Sequence, residues 1–115
     1  MRNTLSETKI SPQAQKAIAE FHQQIVAECI TTVQNNEWVI IGMGQNPVVK
    51  KAREFLTEQG IAFQYLEYGN YFSQWRKRLA IKLWSGWPTF PQVFHKGVLV
   101  GGHSELVPYL KGLKN

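Results

Sequence analysis

The chain has 115 residues, 43% of them apolar, enough to build one hydrophobic core without metals or crosslinks. Its single cysteine, Cys29, excludes an internal disulfide, a cysteine-rich zinc site and a dithiol redox pair within one chain. Thirteen Lys and Arg against eight acidic residues, all of them Glu, give a formal charge of +5, which suits anionic partners without choosing among nucleic acid, phosphates and carboxylates. No apolar run approaches the ~20 residues of a membrane span. The opening MRNTLSETKI lacks the apolar stretch of a secretory signal. The expectation is a cytoplasmic protein with no membrane partner.

In chain order, residues 1–10 read as a loose, polar N-terminus. Ser11-Pro12 is a hydroxyl cap followed by proline, a helix start. Ala14, Ile18, Phe21, Ile25 and Cys29 then recur at helical spacing, and Asn35-Asn36 ends the pattern. Trp38-Val39-Ile40-Ile41 predicts a strand buried on both faces. Gly42-Met43-Gly44-Gln45 is a loop, and Asn46-Pro47 repeats the cap-plus-proline start. The helix it opens runs to about Gln59, with Val48, Val49, Ala52, Phe55 and Leu56 on its apolar side and Gly60 at its end. Ile61 to Glu67 alternates like a more exposed strand, which completes a βαβ unit.

Phe72, Trp75, Leu79 and Leu83 mark the expected buried face of a third helix, with Arg78 and Lys82 sharing another face. Ser85-Gly86-Trp87-Pro88 stops it. Gln92–His95 and Val98–Gly101 form a hairpin around Lys96-Gly97. Ser104 is the expected cap of a last helix bearing Leu106, Val107, Leu110 and Leu113. The order α-βαβ-α-ββ-α is that of an α/β, thioredoxin-like fold: a four-stranded mixed sheet flanked by helices, with an extra N-terminal helix. Residues 11–115 form one domain in this reading.

The stretch from Arg78 to Gly102 resembles the glutaredoxin family, most of all its monothiol branch. That branch carries Arg-x-x-x-Lys-x-x-Ser, then Asn-Trp-Pro-Thr, an aromatic or Ile, and Pro-Gln, with a hairpin and Gly-Gly beyond. Here the matching residues are Arg78, Lys82, Ser85, Trp87-Pro88-Thr89-Phe90-Pro91-Gln92 and Gly101-Gly102, with Gly86 in place of the Asn. The register implies a cis bond at Phe90–Pro91 and a trans bond at Trp87–Pro88. In the family, the first strand leads into Cys-Pro-Tyr-Cys, or Cys-Gly-Phe-Ser in the monothiol branch. Aligning Val39-Ile40-Ile41 with that strand sets Asn46-Pro47-Val48-Val49 over the motif. Asn46 thus stands at the nucleophile position, and Met43 stands where a lysine is usual.

Thiol–disulfide exchange needs a thiolate, which a helix N-terminus and a nearby cation stabilise. An amide caps that helix equally well but cannot attack sulfur. No catalytic residue is therefore assigned. The family also implies an iron–sulfur cluster shared by two subunits through that cysteine and glutathione; Asn46 is not an expected ligand. For glutathione, the resemblance implies a weak groove. Arg78 and Lys82 face its glycine carboxylate, and Thr89-Phe90-Pro91 offers backbone to its cysteinyl part. Gly102, His103 and Ser104 receive its γ-glutamyl carboxylate at a helix start. The family's Cys-Asp after Gly-Gly is His103-Ser104 here, which removes the carboxylate for the ligand's ammonium.

Other features have plainer readings. Cys29 lies on an apolar stripe and reads as a core thiol. His22, His95 and His103 lack metal-ligand spacing, so no metal site is assigned. Gly42-x-Gly44 is a weak phosphate signal. Trp75, Trp84, Trp87 and Phe90 read as core and rim packing, and nucleic acid is set aside as a partner. The sequence thus points to a glutaredoxin-like, redox-inactive binding or interaction module. Its partner is an unidentified protein or a glutathione-like peptide end, with glutathione the one small ligand considered and no cofactor otherwise assigned. The competing reading is a component of thiol-redox or iron–sulfur homeostasis that works through a partner's cysteines.

Overall fold

The computed structural model describes residues 11–114, so the expected loose segment 1–10 lies outside the described residues. Eight elements follow in order: α1 (Pro12–Asn35), β1 (Trp38–Gly42), α2 (Pro47–Glu58), β2 (Gln64–Glu67), α3 (Trp75–Ser85), β3 (Gln92–His95), β4 (Val98–Gly101) and α4 (His103–Lys114). The sheet has the order β2-β1-β3-β4. β2 runs parallel to β1, while β3 is antiparallel to both β1 and β4. This is the thioredoxin-like, glutaredoxin-type fold, with α1 as the additional N-terminal helix.

The apolar run of β1 places it at the centre, and the two-residue strand period divides its side chains between two cores. Val39 and Ile41 join Ile25, Cys29 and Val33 of α1 and Ala80 and Ile81 of α3. Trp38 and Ile40 join Ala52 and Leu56 of α2 and Leu106 and Leu110 of α4. Each such aliphatic side chain contributes about 1.5–3 kcal/mol on full burial, so this strand anchors both layers. Ser11 Oγ accepts the Ala14 N–H at 3.1 Å and starts α1 as its hydroxyl predicts. Lys96 and Gly97 take φ of 50° and 81°, the left-handed pair that a tight hairpin turn demands.

Several local expectations are corrected. β2 is confined to Gln64–Glu67 rather than starting at Ile61. Val48 and Leu113 are exposed instead of packed. The main difference is α3. Trp75, Leu79 and Leu83, expected in the core, are 58%, 44% and 44% exposed, and Phe72, which precedes the helix, is 91% exposed. The helix instead buries Arg78, Ala80 and Ile81. Among the described residues no helix is long and apolar enough to cross a membrane.

Candidate ligand-binding site

Strand register brings the site together. Ile41 pairs with Gln92, and Val93 pairs with Gly101. The C-terminal ends of β1 and β4 therefore meet the N-terminal end of β3 at one edge of the sheet. The start of α2, the Thr89–Pro91 segment and the start of α4 all emerge there. The Phe90–Pro91 peptide is cis. Fully buried Gln92 donates from Nε2 to the Trp87 carbonyl (3.1 Å) and holds the Trp87–Phe90 loop against β3.

Asn46 begins α2. Its Oδ1 accepts the N–H groups of Val48 (2.9 Å) and Val49 (3.0 Å), and Pro47 occupies the first helical position. Two of the amides that a helix start leaves free are thus satisfied by a neutral side chain. Asn46 Nδ2 also reaches Tyr71 Oη at 3.4 Å, a residue sequence reasoning did not single out. Met43 is buried and lines the cavity beside Asn46. The glycines before it serve packing. A Cβ at Gly42 would come within 2.6 Å of Val49 Cγ1, and Gly44 donates its N–H to the Gly69 carbonyl at 2.6 Å. That close approach accounts for the Gly-x-Gly pair without a phosphate.

Arg78 and Lys82 separate. Arg78 is only 8% exposed, and its Nη1 donates to the backbone carbonyls of Tyr68 (3.0 Å) and Ser73. It is therefore not half of a solvent-facing cation pair, as the four-residue spacing suggested. It fastens the β2–α3 connection, with its charge met by two carbonyl dipoles. Lys82 remains partly accessible. Its Nζ lies 5.6 Å from the centre of the Phe90 ring, and it forms no ion pair among the described residues. Thr89 is exposed, whereas Phe90 and Pro91 are buried.

At the other end, Ser104 is not the cap. α4 starts at His103, and the Leu106 N–H donates to the Gly102 carbonyl at 3.0 Å, which makes Gly102 the capping residue. Ser104 is exposed within the first turn, and the half-buried His103 ring packs edge-on against Phe55 (6.4 Å). The residue that sequence reasoning missed is Glu105. Its Oε1 accepts the Gly102 N–H at 2.8 Å. A Cβ at Gly101, whose φ is +127°, would lie 2.8 Å from Glu105 Cγ. The signal was present, because a Glu three residues after the cap is the reciprocal half of a capping box. The helix start expected to receive a carboxylate already holds one.

The only thiol lies elsewhere. Cys29 is fully buried on α1, 3.7 Å from the hydroxyl of Tyr68, which donates to the Glu28 carboxylate. Desolvation pushes the thiol up to about 11; the Tyr68 hydrogen bond partly offsets this and the Glu28 charge adds to it. Burial and the hydrogen bond to Glu28 also push Tyr68 upward.

Sheet order, helix placement and this edge define a glutaredoxin-type protein, and comparison with known proteins agrees. The Glutaredoxin family model matches residues 47–100. A "Glutaredoxin-like protein" of Dictyostelium discoideum is 43% identical over 103 residues, spanning 90% of this chain and 84% of that one. The chain belongs to the glutaredoxin family. Among solved structures, mutated buckwheat glutaredoxin has a TM-score of 0.74 at 19% identity, covering 84% of this chain and 87% of its own. The buckwheat glutaredoxin–glutathione complex has a TM-score of 0.73 at 19% identity, covering 83% and 86%.

At one end of this edge stand the partly accessible Lys82 and the exposed Thr89, and at the other the Glu105 carboxylate occupies the helix start. The residues present do not supply the ligands of an iron–sulfur site, whose irons take thiolates or imidazoles. Asn46 offers an amide oxygen that already accepts two hydrogen bonds, and Cys29 is a buried, protonated thiol on another helix. Among the described residues no group of three or more His, Cys or Glu is placed to hold a metal ion.

Proposed function

We propose that this protein is a non-enzymatic member of the glutaredoxin family: a binding module that has lost the nucleophilic cysteine. Its groove takes the carboxylate end of glutathione or of a glutathione-like peptide. The observation that carries this reading is Asn46, whose amide caps α2 at the position aligned with the family's thiolate. The capping requirement of that position is met, and its chemical one is not. Exchange requires a sulfur nucleophile poised as thiolate at neutral pH. The single thiol of this chain is held protonated in the core.

The groove reading rests on Lys82 beside Phe90 and on the edge shared by β1, β3 and β4. Its ligand is held by one partly accessible cation and by backbone. Exposed charge pairs contribute about 0–1 kcal/mol each, and no covalent bond adds to them. Binding on the order of 0.1–10 mM, roughly 3–5 kcal/mol, is the expected strength.

Turnover tests the first half of the proposal. With glutathione and a small mixed disulfide, consumption coupled to glutathione reductase should stay at the uncatalysed rate. A rate clearly above it that vanishes in Cys29→Ser would overturn the non-enzymatic assignment.

A further inference from the structure

The face of α3 that the apolar periodicity assigned to the core lies instead against solvent. Trp75, Leu79 and Leu83 recur every four residues and form one line along the helix, with Phe72 at its head. Trp75, Leu79 and Leu83, with Ala80 and with Ala17, Phe21 and His22 of α1, line an open and mainly apolar cavity of about 600 Å³. A groove between two helices, floored by a line of large apolar side chains, has the shape that receives a third helix. The α3 wall carries Arg76, Lys77 and Lys82 and no acidic residue, Arg78 being buried, while on α1 Lys16 and Glu20 pair with each other. The Arg76 guanidinium borders the groove, 5.5 Å from the centre of the Trp75 ring.

Arg76 and Lys77 also occupy the first turn of α3, and Gln74 provides no side-chain cap. Cations at a helix N-terminus oppose its dipole, so the isolated fold gains nothing from them there. An anionic partner would gain from both the cations and the dipole. We propose that this groove docks an acidic amphipathic helix of a partner protein, with leucine-like side chains on Trp75, Leu79 and Leu83 and carboxylates beside Arg76. A second copy is a poorer occupant, because a two-fold contact sets α3 against another α3, which has no acidic side chain to meet Arg76. Residues 1–10 are poorer too, since they carry Glu7 against Arg2 and Lys9. This inference does not depend on the glutathione groove.

The probe is a synthetic helical peptide of about five turns, with Leu at i, i+4, i+7 and i+11 and Glu on its other face. Its counterpart has Lys for every Glu. The full chain is titrated with each and followed by ¹⁵N NMR. The acidic peptide should shift signals of Phe21, Trp75, Leu79 and Leu83, and the basic one should bind at least about tenfold more weakly. Arg76→Glu and Leu83→Ser change exposed side chains, and each should weaken the acidic peptide about tenfold. Four results would overturn the proposal: no shift with the acidic peptide, equal binding of both peptides, a dimer in sedimentation equilibrium that Leu83→Ser dissociates, or binding that appears only after removal of residues 1–10.

Discussion

Two helices begin at the same edge of the sheet, and each is capped from within by a different kind of side chain. α2 is closed by Asn46, a neutral amide accepting two N–H groups. α4 is closed by Glu105, a carboxylate accepting the Gly102 N–H. Both starts are places where free amides and the helix dipole favour an anion. At α2 the cap removes donors and leaves the local charge unchanged. At α4 the cap supplies the anion itself. In the proposed function, the first cap stands for a loss of chemistry, and the second for a groove that serves one carboxylate better than two.

The largest effect expected from perturbing this pair is at α2. Asn46→Cys places a thiol where the helix start lowers its pKa, and glutathione-dependent disulfide reduction should rise at least about tenfold above wild type. It should stay low in absolute terms, because Met43 supplies no cation. The loss of the amide cap should lower stability by about 1 kcal/mol in urea unfolding. No gain in rate from a folded Asn46→Cys protein would break the alignment of this position with the nucleophile.

Cys29 sharpens the contrast, as a thiol kept out of both helix starts. Its pKa is raised from 9.0 to about 11 in the folded chain. Between these values the unfolded chain has lost a proton that the folded chain retains. The stability from this group is therefore complete below about pH 9 and is lost as pH rises toward about 11, on the order of 2–3 kcal/mol. Tyr68 titrates in the same direction at still higher pH. Urea unfolding between pH 8 and 10.5 should show a downward slope that is shallower in Cys29→Ala. Equal slopes would mean the thiol is not held protonated by the fold.

Smaller effects are expected at the two ends of the groove, in opposite directions. Glu105→Gln keeps an oxygen for the Gly102 N–H and removes the charge, so glutathione should bind about threefold to tenfold more tightly. Lys82→Ala should weaken it by a similar factor, and added salt should reduce both the wild-type affinity and the Lys82 effect. Calorimetry or NMR titration of the two variants distinguishes a one-ended groove from an indifferent surface.

How much of this was legible in the sequence varies by element. β1 was plain, because four consecutive large apolar residues have no other home than the middle of a sheet covered on both faces. The α2 cap and the hairpin turn were equally direct, since Asn-Pro and Lys-Gly each encode a local geometry. α3 was misread, and the reason is physical. Periodicity reveals that a helix has an apolar stripe, but α3 has two. The heavier one, Trp75-Leu79-Leu83, faces out, while Ala80 and Ile81 with the aliphatic part of Arg78 face in. The guanidinium is tolerated there only because the Tyr68 and Ser73 carbonyls receive it, a tertiary arrangement that no local spacing announces. Of the candidate site, the Asn46 cap and the cis Phe90–Pro91 bond were readable from motif register. Ser104 was given a cap that the fold gives to Gly102, and Glu105 was overlooked although its spacing from Gly102 carried the signal.

The most direct test of the central claim, a groove that binds without thiol chemistry, is a paired NMR titration of the wild-type chain with glutathione and with S-methylglutathione. Blocking the ligand's sulfur removes any covalent capture and leaves both carboxylates in place. The account predicts the same set of shifted signals around Lys82, Thr89 and Gly102 for both ligands. Their affinities should lie on the order of 0.1–10 mM and within about twofold of each other. Shifts at these residues with glutathione alone would contradict it by restoring a role for thiol chemistry, and their absence with both ligands would contradict it by removing the groove.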